Sequence, residues 1–205
     1  MSTKSIVISQ DLCGVGQVSM GVALPLVAGL GLTPYVLPTA LLSSHTGGLG
    51  ANTYLDLSSE MPGILKHWQQ LQLNPDGIYL GYLGQGAADQ WERWLPKFQS
   101  HLVLIDPVMG DYGKMYPTYT QETCEEMKKL VTHADILTPN LTEGCILSGM
   151  AYHESWTKKE LTHMAELLAE KGPEKIVITG IQQGKYVANF CYEMGQEGYF
   201  IKTEK

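Results

Sequence analysis

Five short constellations in this 205-residue chain combine side chains that can grip an anion, a cation or a small polar ligand. Asp11-Leu-Cys13-Gly14-Val-Gly16 carries a carboxylate, a thiol and a Gly-x-Gly pair. A dinucleotide fingerprint would need a third glycine at position 19, which is Ser, and an acidic residue about 20 residues on. The next acidic residue is Asp56. The competing reading is a tight turn that lets a helix pack close. Ser43-Ser44-His45-Thr46-Gly47-Gly48-Leu49-Gly50 joins hydroxyls, an imidazole and glycines. Glycines let backbone approach a ligand, and hydroxyls give adaptable hydrogen bonds; a plain solvated loop has the same composition. Asp106-Pro-Val-Met-Gly110-Asp111 places a carboxylate directly after an apolar run. There it can hold Mg²⁺ through water, since magnesium keeps several waters, or serve as a turn or capping Asp. Thr138-Pro139-Asn140-Leu-Thr-Glu143 fits a capping box, with Asn140 as cap and Glu143 three residues on. It also fits a magnesium–phosphate station beside Asp106, and spacing alone does not separate the two. Thr179-Gly180 can contact a phosphate or form an ordinary turn.

Position along the chain selects these residues. Apolar runs at 5–10, 34–42, 77–83, 101–106, 135–138 and 175–179 read as strands. Helical spacing is found at 17–30, 61–72, 87–99, 119–132, about 142–148 and 157–171. Pro25 is expected to end or kink the first helix, and Pro38 to push part of the second strand to a sheet edge. A turn is expected at 180–184, followed by an antiparallel hairpin over 185–192 and 198–203 around Gly195. Strand–helix alternation with periods of 20–35 residues predicts an α/β fold, a mainly parallel sheet covered on both faces, in a single domain over 1–205. In such sheets ligands bind beyond the carboxyl ends of the strands, where all five constellations fall.

Composition narrows the function classes. Apolar residues make up 44% and charged residues 17%, so most of the chain is too hydrophobic to be disordered. The formal charge of −7 argues against a protein-wide nucleic-acid footprint. There is no run of 18 apolar residues, and no membrane partner is expected. The four cysteines, Cys13, Cys124, Cys145 and Cys191, form no C-x-x-C pair and read as reduced thiols in a cytoplasmic protein. The sequence holds no G-x-x-x-x-G-K-[ST], H-E-x-x-H or G-x-S-x-G string. Trp91 and Trp94, three residues apart, are expected in the core or an interface, and the histidines other than His45 at the surface or at helix ends.

The order of the constellations resembles the pyridoxal kinase family of the ribokinase-like superfamily. The resemblance is carried by Asp11 with Gly14-Val-Gly16, by 41–48, Gly81-Tyr82, 106–111, 138–143 and Val177-Ile-Thr179, and runs from residue 5 to about 200. The segments around 106 and 140 are shared with hydroxymethylpyrimidine kinases; His45-Thr46-Gly47 points to the pyridoxal branch. The resemblance implies a three-layer α/β/α sandwich. It also implies transfer of the γ-phosphoryl group of ATP to the 5′-hydroxymethyl of pyridoxal, pyridoxine or pyridoxamine, with Mg²⁺, in a homodimer. By it, Ser44, His45, Thr46 and Gly47 line the vitamin pocket and Tyr82 packs at the ring. Asp11 and Cys13 lie where the first loop meets the substrate. Asp106, Asp111, Asn140, Glu143 and Thr179 serve the nucleotide, with Asp106 and Glu143 as the metal carboxylates. Two rival readings are a hydroxymethylpyrimidine kinase and a non-catalytic vitamin-binding protein. The family's general-base Asp lies in a Gly-x-Gly-Asp string, which does not occur in these residues; the expectation is a fold truncated before it, a base beyond Lys205 and little turnover by these 205 residues alone.

Overall fold

The computed structural model describes residues 3–46 and 49–205. The expected Gly47 contact lies outside them. The fold is α/β, with a mostly parallel sheet and helices. Contacts divide the chain into two compact units, Met1–Val103 and Leu104–Lys205.

The first unit builds on β1 (Ser5–Cys13), which pairs parallel with β2 (Thr33–Leu42) on one side and β4 (Gly77–Leu80) on the other. A short β3 (Tyr54–Asp56) lies antiparallel against Ala40–Leu42. Adjacent residues of β1 point to opposite faces. Ile8 packs with Met20, Ala23 and Val27 of α1 (Met20–Gly29). The neighbouring Ser9 accepts a 2.8 Å hydrogen bond from the indole N–H of Trp91 on α3 (Ala87–Trp94). Helices therefore cover both faces of β1. The remaining helix, α2 (Met61–Gln70), buries Met61 and Leu65.

Both prolines behave differently from a simple breaker. Helix α1 runs through Pro25 to Gly29 instead of stopping. The lost bond to the Gly21 carbonyl costs about 3 kcal/mol in a helix interior, which the packing of Met20, Ala23 and Val27 offsets. In β2 the Thr33 N–H donates to Lys4 of the β1 side. By strand alternation Pro34 and Pro38 then face away from β1, on a stretch that β3 does not reach, so no ladder bond is lost.

Trp91 and Ser9 are both fully buried. Trp91→Phe is expected to lower stability by about 1–3 kcal/mol, because the Ser9 hydroxyl loses its donor inside the core. The midpoint of urea unfolding measures it; an unchanged midpoint would mean that the bond contributes nothing.

In the second unit β5 (Val103–Ile105), β8 (Ile136–Leu137) and β9 (Lys175–Gln183) run parallel. β10 (Tyr186–Glu193) and β11 (Tyr199–Glu204) continue antiparallel. The turn expected over 180–184 falls at the end of that range, at Gly184 and Lys185: β9 continues to Gln183, because β10 folds back on it through Ala188 and Ile181. A separate two-stranded hairpin, β6 (Gly110–Asp111) and β7 (Lys114–Met115), was not legible as strand. The helices are α4 (Gln121–Leu130), α5 (Leu141–Ser148) and α6 (Lys158–Ala169); α6 buries Leu161, Met164, Ala165 and Leu168. Trp91 and Trp94 are core residues. No helix among the described residues is long and apolar enough to cross a membrane.

Candidate functional site

Candidate residues collect at strand carboxyl ends in each unit. In the first, the loop after β1 packs on the loop after β2. The Gly14 N–H donates to the Leu42 carbonyl at 2.8 Å, and the His45 N–H to the Val15 carbonyl at 3.0 Å. A Cβ on Gly14 would stand 3.0 Å from the Ser43 carbonyl oxygen, and one on Gly16 would stand 2.6 Å from the His45 ring. The two glycines thus serve the approach of one loop to the other. The second loop is braced by the Thr53 N–H donating to Ser43 Oγ at 2.9 Å and by the Asn52 amide donating to the Ser44 carbonyl at 3.0 Å. His45 and Ser44 are half-buried and Thr46 is exposed.

Asp11 and Cys13 are buried together, and the thiol donates to Asp11 Oδ2 at 3.1 Å. Burial, then the Asp11 hydrogen bond and charge, push the Cys13 thiol up to about 12, so it stays protonated. The second oxygen of Asp11 is enclosed without a partner. Tyr82, after β4, is half-buried; its carbonyl accepts from Thr39 Oγ1 at 2.7 Å. Sequence reading missed Tyr54 on β3. Burial, then Tyr82, Asp56 and Asp11, raise its phenol, and it is hydrogen-bonded to Tyr82. This places Tyr54 near Asp11 and Tyr82. No signal in the sequence marks it, since β3 is only three residues long.

In the second unit, Asp106 follows β5, Asn140 follows β8 and Thr179 lies on β9. Asn140 and Thr179 form a parallel bridge, and the Thr179 N–H donates to the Pro139 carbonyl at 2.8 Å. The capping box is real. Asn140 Oδ1 accepts from the Glu143 N–H at 3.0 Å, and Glu143 Oε2 accepts from the Asn140 N–H at 2.8 Å. Glu143 does more than cap. Its Oε1 accepts from the Met109 N–H at 3.2 Å, and the Gly110 amide also bonds to the carboxylate. Asn140 Nδ2 donates to the Gly110 carbonyl at 2.7 Å. One cap thus ties α5 to the turn that follows Asp106.

Two carboxylates flank this turn, Glu143 buried and Asp106 half-buried. Glu143 is 3% exposed. Burial first, and the charge of Asp106 second, push its carboxyl up to about 8, against the pull of three backbone N–H groups. Burial raises Asp106 to about 6. Asp111, Asn140 and Thr179 line a cavity of about 700 Å³, together with Tyr112, Thr142, Tyr152, Trp156 and Gly180–Gln183. Asp106 and Glu143 are not among its lining residues; Asn140 links Glu143 to it.

Comparison with known proteins places the chain. A family model described as phosphomethylpyrimidine kinase matches residues 71–205. A Bacteroides thetaiotaomicron protein of the phosphomethylpyrimidine kinase type, crystallised with pyridoxal, is 34% identical and superposes with a TM-score of 0.93, over 99% of this chain and 73% of its own. Pyridoxal kinase from Lactobacillus plantarum is 29% identical, with a TM-score of 0.91 over 100% and 73%. A pyridoxine/pyridoxal/pyridoxamine kinase of Bordetella avium is 31% identical over 184 residues, 82% of this chain and 58% of the relative. A pyridoxal kinase of Histophilus somni is 29% identical, with 78% and 58% covered. The chain thus spans 58% of the length of these two curated relatives. The fold is ribokinase-like. The chain belongs to the phosphomethylpyrimidine kinase family, on its pyridoxal kinase side.

Proposed function

We propose that this chain belongs to a kinase that phosphorylates the 5′-hydroxymethyl group of a vitamin B6 vitamer with ATP and Mg²⁺. The observation that carries the reading is the pair of raised carboxylates, half-buried Asp106 and buried Glu143, the latter bonded to Asn140 on the wall of a cavity at the ends of β8 and β9. Two carboxylates raised by burial, Glu143 also by the charge of Asp106, are the environment that a bound cation relieves. Their hard oxygens suit Mg²⁺, which completes its shell with water and phosphate oxygens. Asp106 is the more available ligand, because both oxygens of Glu143 already accept backbone N–H groups; Glu143 acts through water. The cation neutralises phosphate charge when bound. The protein's share of phosphoryl transfer is positioning and electrostatics: Asn140 and Thr179 orient the nucleotide from adjacent strand ends, and Asp111 contacts it from β6.

The vitamin side of the reading rests on the first unit. Ser44, His45, Thr46 and Tyr82 recognise the ring and its substituents. Asp11 and Cys13, a buried hydrogen-bonded pair at the end of β1, stand where the first loop meets the substrate. The full assembly in this reading is a homodimer.

The family model also favours a second substrate, a hydroxymethylpyrimidine. Its match begins at residue 71, so of the proposed ring contacts it includes Tyr82 alone. Calorimetric titration of the 205-residue chain with pyridoxal, with hydroxymethylpyrimidine and with Mg²⁺ plus AMP-PCP tests both. Saturable binding of pyridoxal and of the metal–nucleotide is expected. Tighter binding of the pyrimidine than of pyridoxal would transfer the assignment to the second reading, and no nucleotide binding would end both.

A further inference from the structure

The hairpin that borders the nucleotide cavity carries an unusual residue at its tip. β6 and β7 pair Gly110 with Met115 and Asp111 with Lys114, leaving Tyr112 and Gly113 as a two-residue turn. Both have positive φ, 49° and 74°. Such a turn favours Asn-Gly or Asp-Gly, because Asn and Asp tolerate the left-handed region and other side chains there are strained. Here the position is held by Tyr, whose side chain is 80% exposed. Neither backbone preference nor burial accounts for a tyrosine at this place.

The tip is nevertheless held firmly. The Gly113 N–H donates to Thr142 Oγ1 at 2.8 Å, and the Tyr112 N–H to Asp111 Oδ1 at 2.8 Å. Asn140 Nδ2 fastens the Gly110 carbonyl. The Tyr152 ring closes on Gly113, where a Cβ would lie 2.6 Å from its Cδ1. Tyr112 lines the 700 Å³ cavity in company with Tyr152 and Trp156. Trp156 is itself fixed, stacked on His153 at 3.9 Å and donating its indole N–H to the His153 carbonyl. The cavity therefore has an aromatic wall on anchored backbone, and a polar wall of Asn140, Thr179 and Gln182.

We propose that Tyr112 is a nucleotide-affinity residue, whose ring packs on the nucleoside portion of the bound nucleotide. The inference rests on the kinase reading above. An aromatic ring with few rotors, presented on a rigid turn, gives contact area at low ordering cost. Stacking needs the ring and not the hydroxyl.

The test uses the 205-residue chain and calorimetry with Mg²⁺ plus AMP-PCP, and separately Mg²⁺ plus inorganic tripolyphosphate. Tyr112→Asn is expected to weaken AMP-PCP about 5–150-fold, the range set by base–aromatic stacking. The same variant should leave the melting temperature unchanged or higher, because Asn suits the turn. Tyr112→Phe should retain affinity within about twofold, since the ring remains. Tripolyphosphate binding and pyridoxal binding should be the same in all three proteins. Unchanged AMP-PCP affinity in Tyr112→Asn, or an equal loss for tripolyphosphate, overturns the proposal while leaving the kinase reading intact. A wild-type chain that binds no nucleotide removes the kinase reading, and this inference with it.

Discussion

Glu143→Ala is expected to be the most damaging single substitution in the second unit. It removes the acceptor for the N–H groups of Asn140, Met109 and Gly110 in one step. A buried N–H left unpaired costs about 1–3 kcal/mol, so a loss of about 3 kcal/mol or more is expected. That is a large part of a typical domain stability of about 5–15 kcal/mol. It also removes the reciprocal half of the capping box of α5, an eight-residue helix with little stability of its own. Glu143→Gln keeps one carbonyl oxygen and should fall between wild type and Ala. Urea midpoints order the three proteins. If Ala and Gln cost the same, the acceptor oxygen that Gln keeps contributes nothing to stability. Nucleotide affinity should fall with Glu143→Ala by on the order of 10–100-fold, as when a residue orienting a metal site is removed.

The second large effect is on pH dependence. Glu143 titrates at about 8 and Asp106 at about 6 in the folded chain, both above their ordinary carboxylate values. The folded state therefore keeps protons that the unfolded chain has released. Over the window from about pH 4 to 8, ν_U is smaller than ν_N and the unfolding free energy falls as pH rises. The stability associated with the protonated carboxyls is complete below the unfolded values and is lost as pH passes the folded ones. Wild type in metal-free buffer with EDTA should lose on the order of a few kcal/mol between pH 5 and 8. Asp106→Asn removes one titrating group and the like charge beside Glu143. It should flatten this slope and bring the Glu143 carboxyl down, as read by ¹³C NMR of the glutamate side chains. A slope as steep as in wild type would mean that the two carboxyls do not share one environment. The same variant should weaken Mg²⁺–AMP-PCP on the order of 10-fold or more if Asp106 is the principal cation ligand.

Much of the fold was legible because burial on both faces demands continuous apolar runs. Ile6–Ile8, Ile78–Leu80, Leu104–Ile105 and Ile176–Ile178 announce parallel strands without help from their partners. The site rule followed, since a polar residue directly after such a run is expected at a strand carboxyl end; Asp106 and Asn140 lie there, whereas Thr179 lies inside the longer β9. Segments that owe their form to a partner were not legible. Tyr54–Asp56 is strand only because Ala40–Leu42 offers it an edge. The continuation of β9 past Gly180 exists because β10 returns along it. Helix α1 survives Pro25 because packing outweighs one lost bond.

The fourth constellation shows where local reading stops. The spacing of Asn140 and Glu143 suits both a capping box and a ligand station. The carboxylate has two oxygens, and the fold uses them for different ends: Oε2 closes the cap three residues away, and Oε1 holds a turn 34 residues away. The sequence by itself determined the strand order of polar ends and the local cap, because both depend on near neighbours and on which side chains avoid water. Only the tertiary structure decided that the Asp106 charge would stand near a buried Glu143, that a buried Asp11 would accept from Cys13, and that Tyr112 would stand on a cavity wall. Those outcomes depend on distances between segments far apart in the chain, and no local preference encodes a distance.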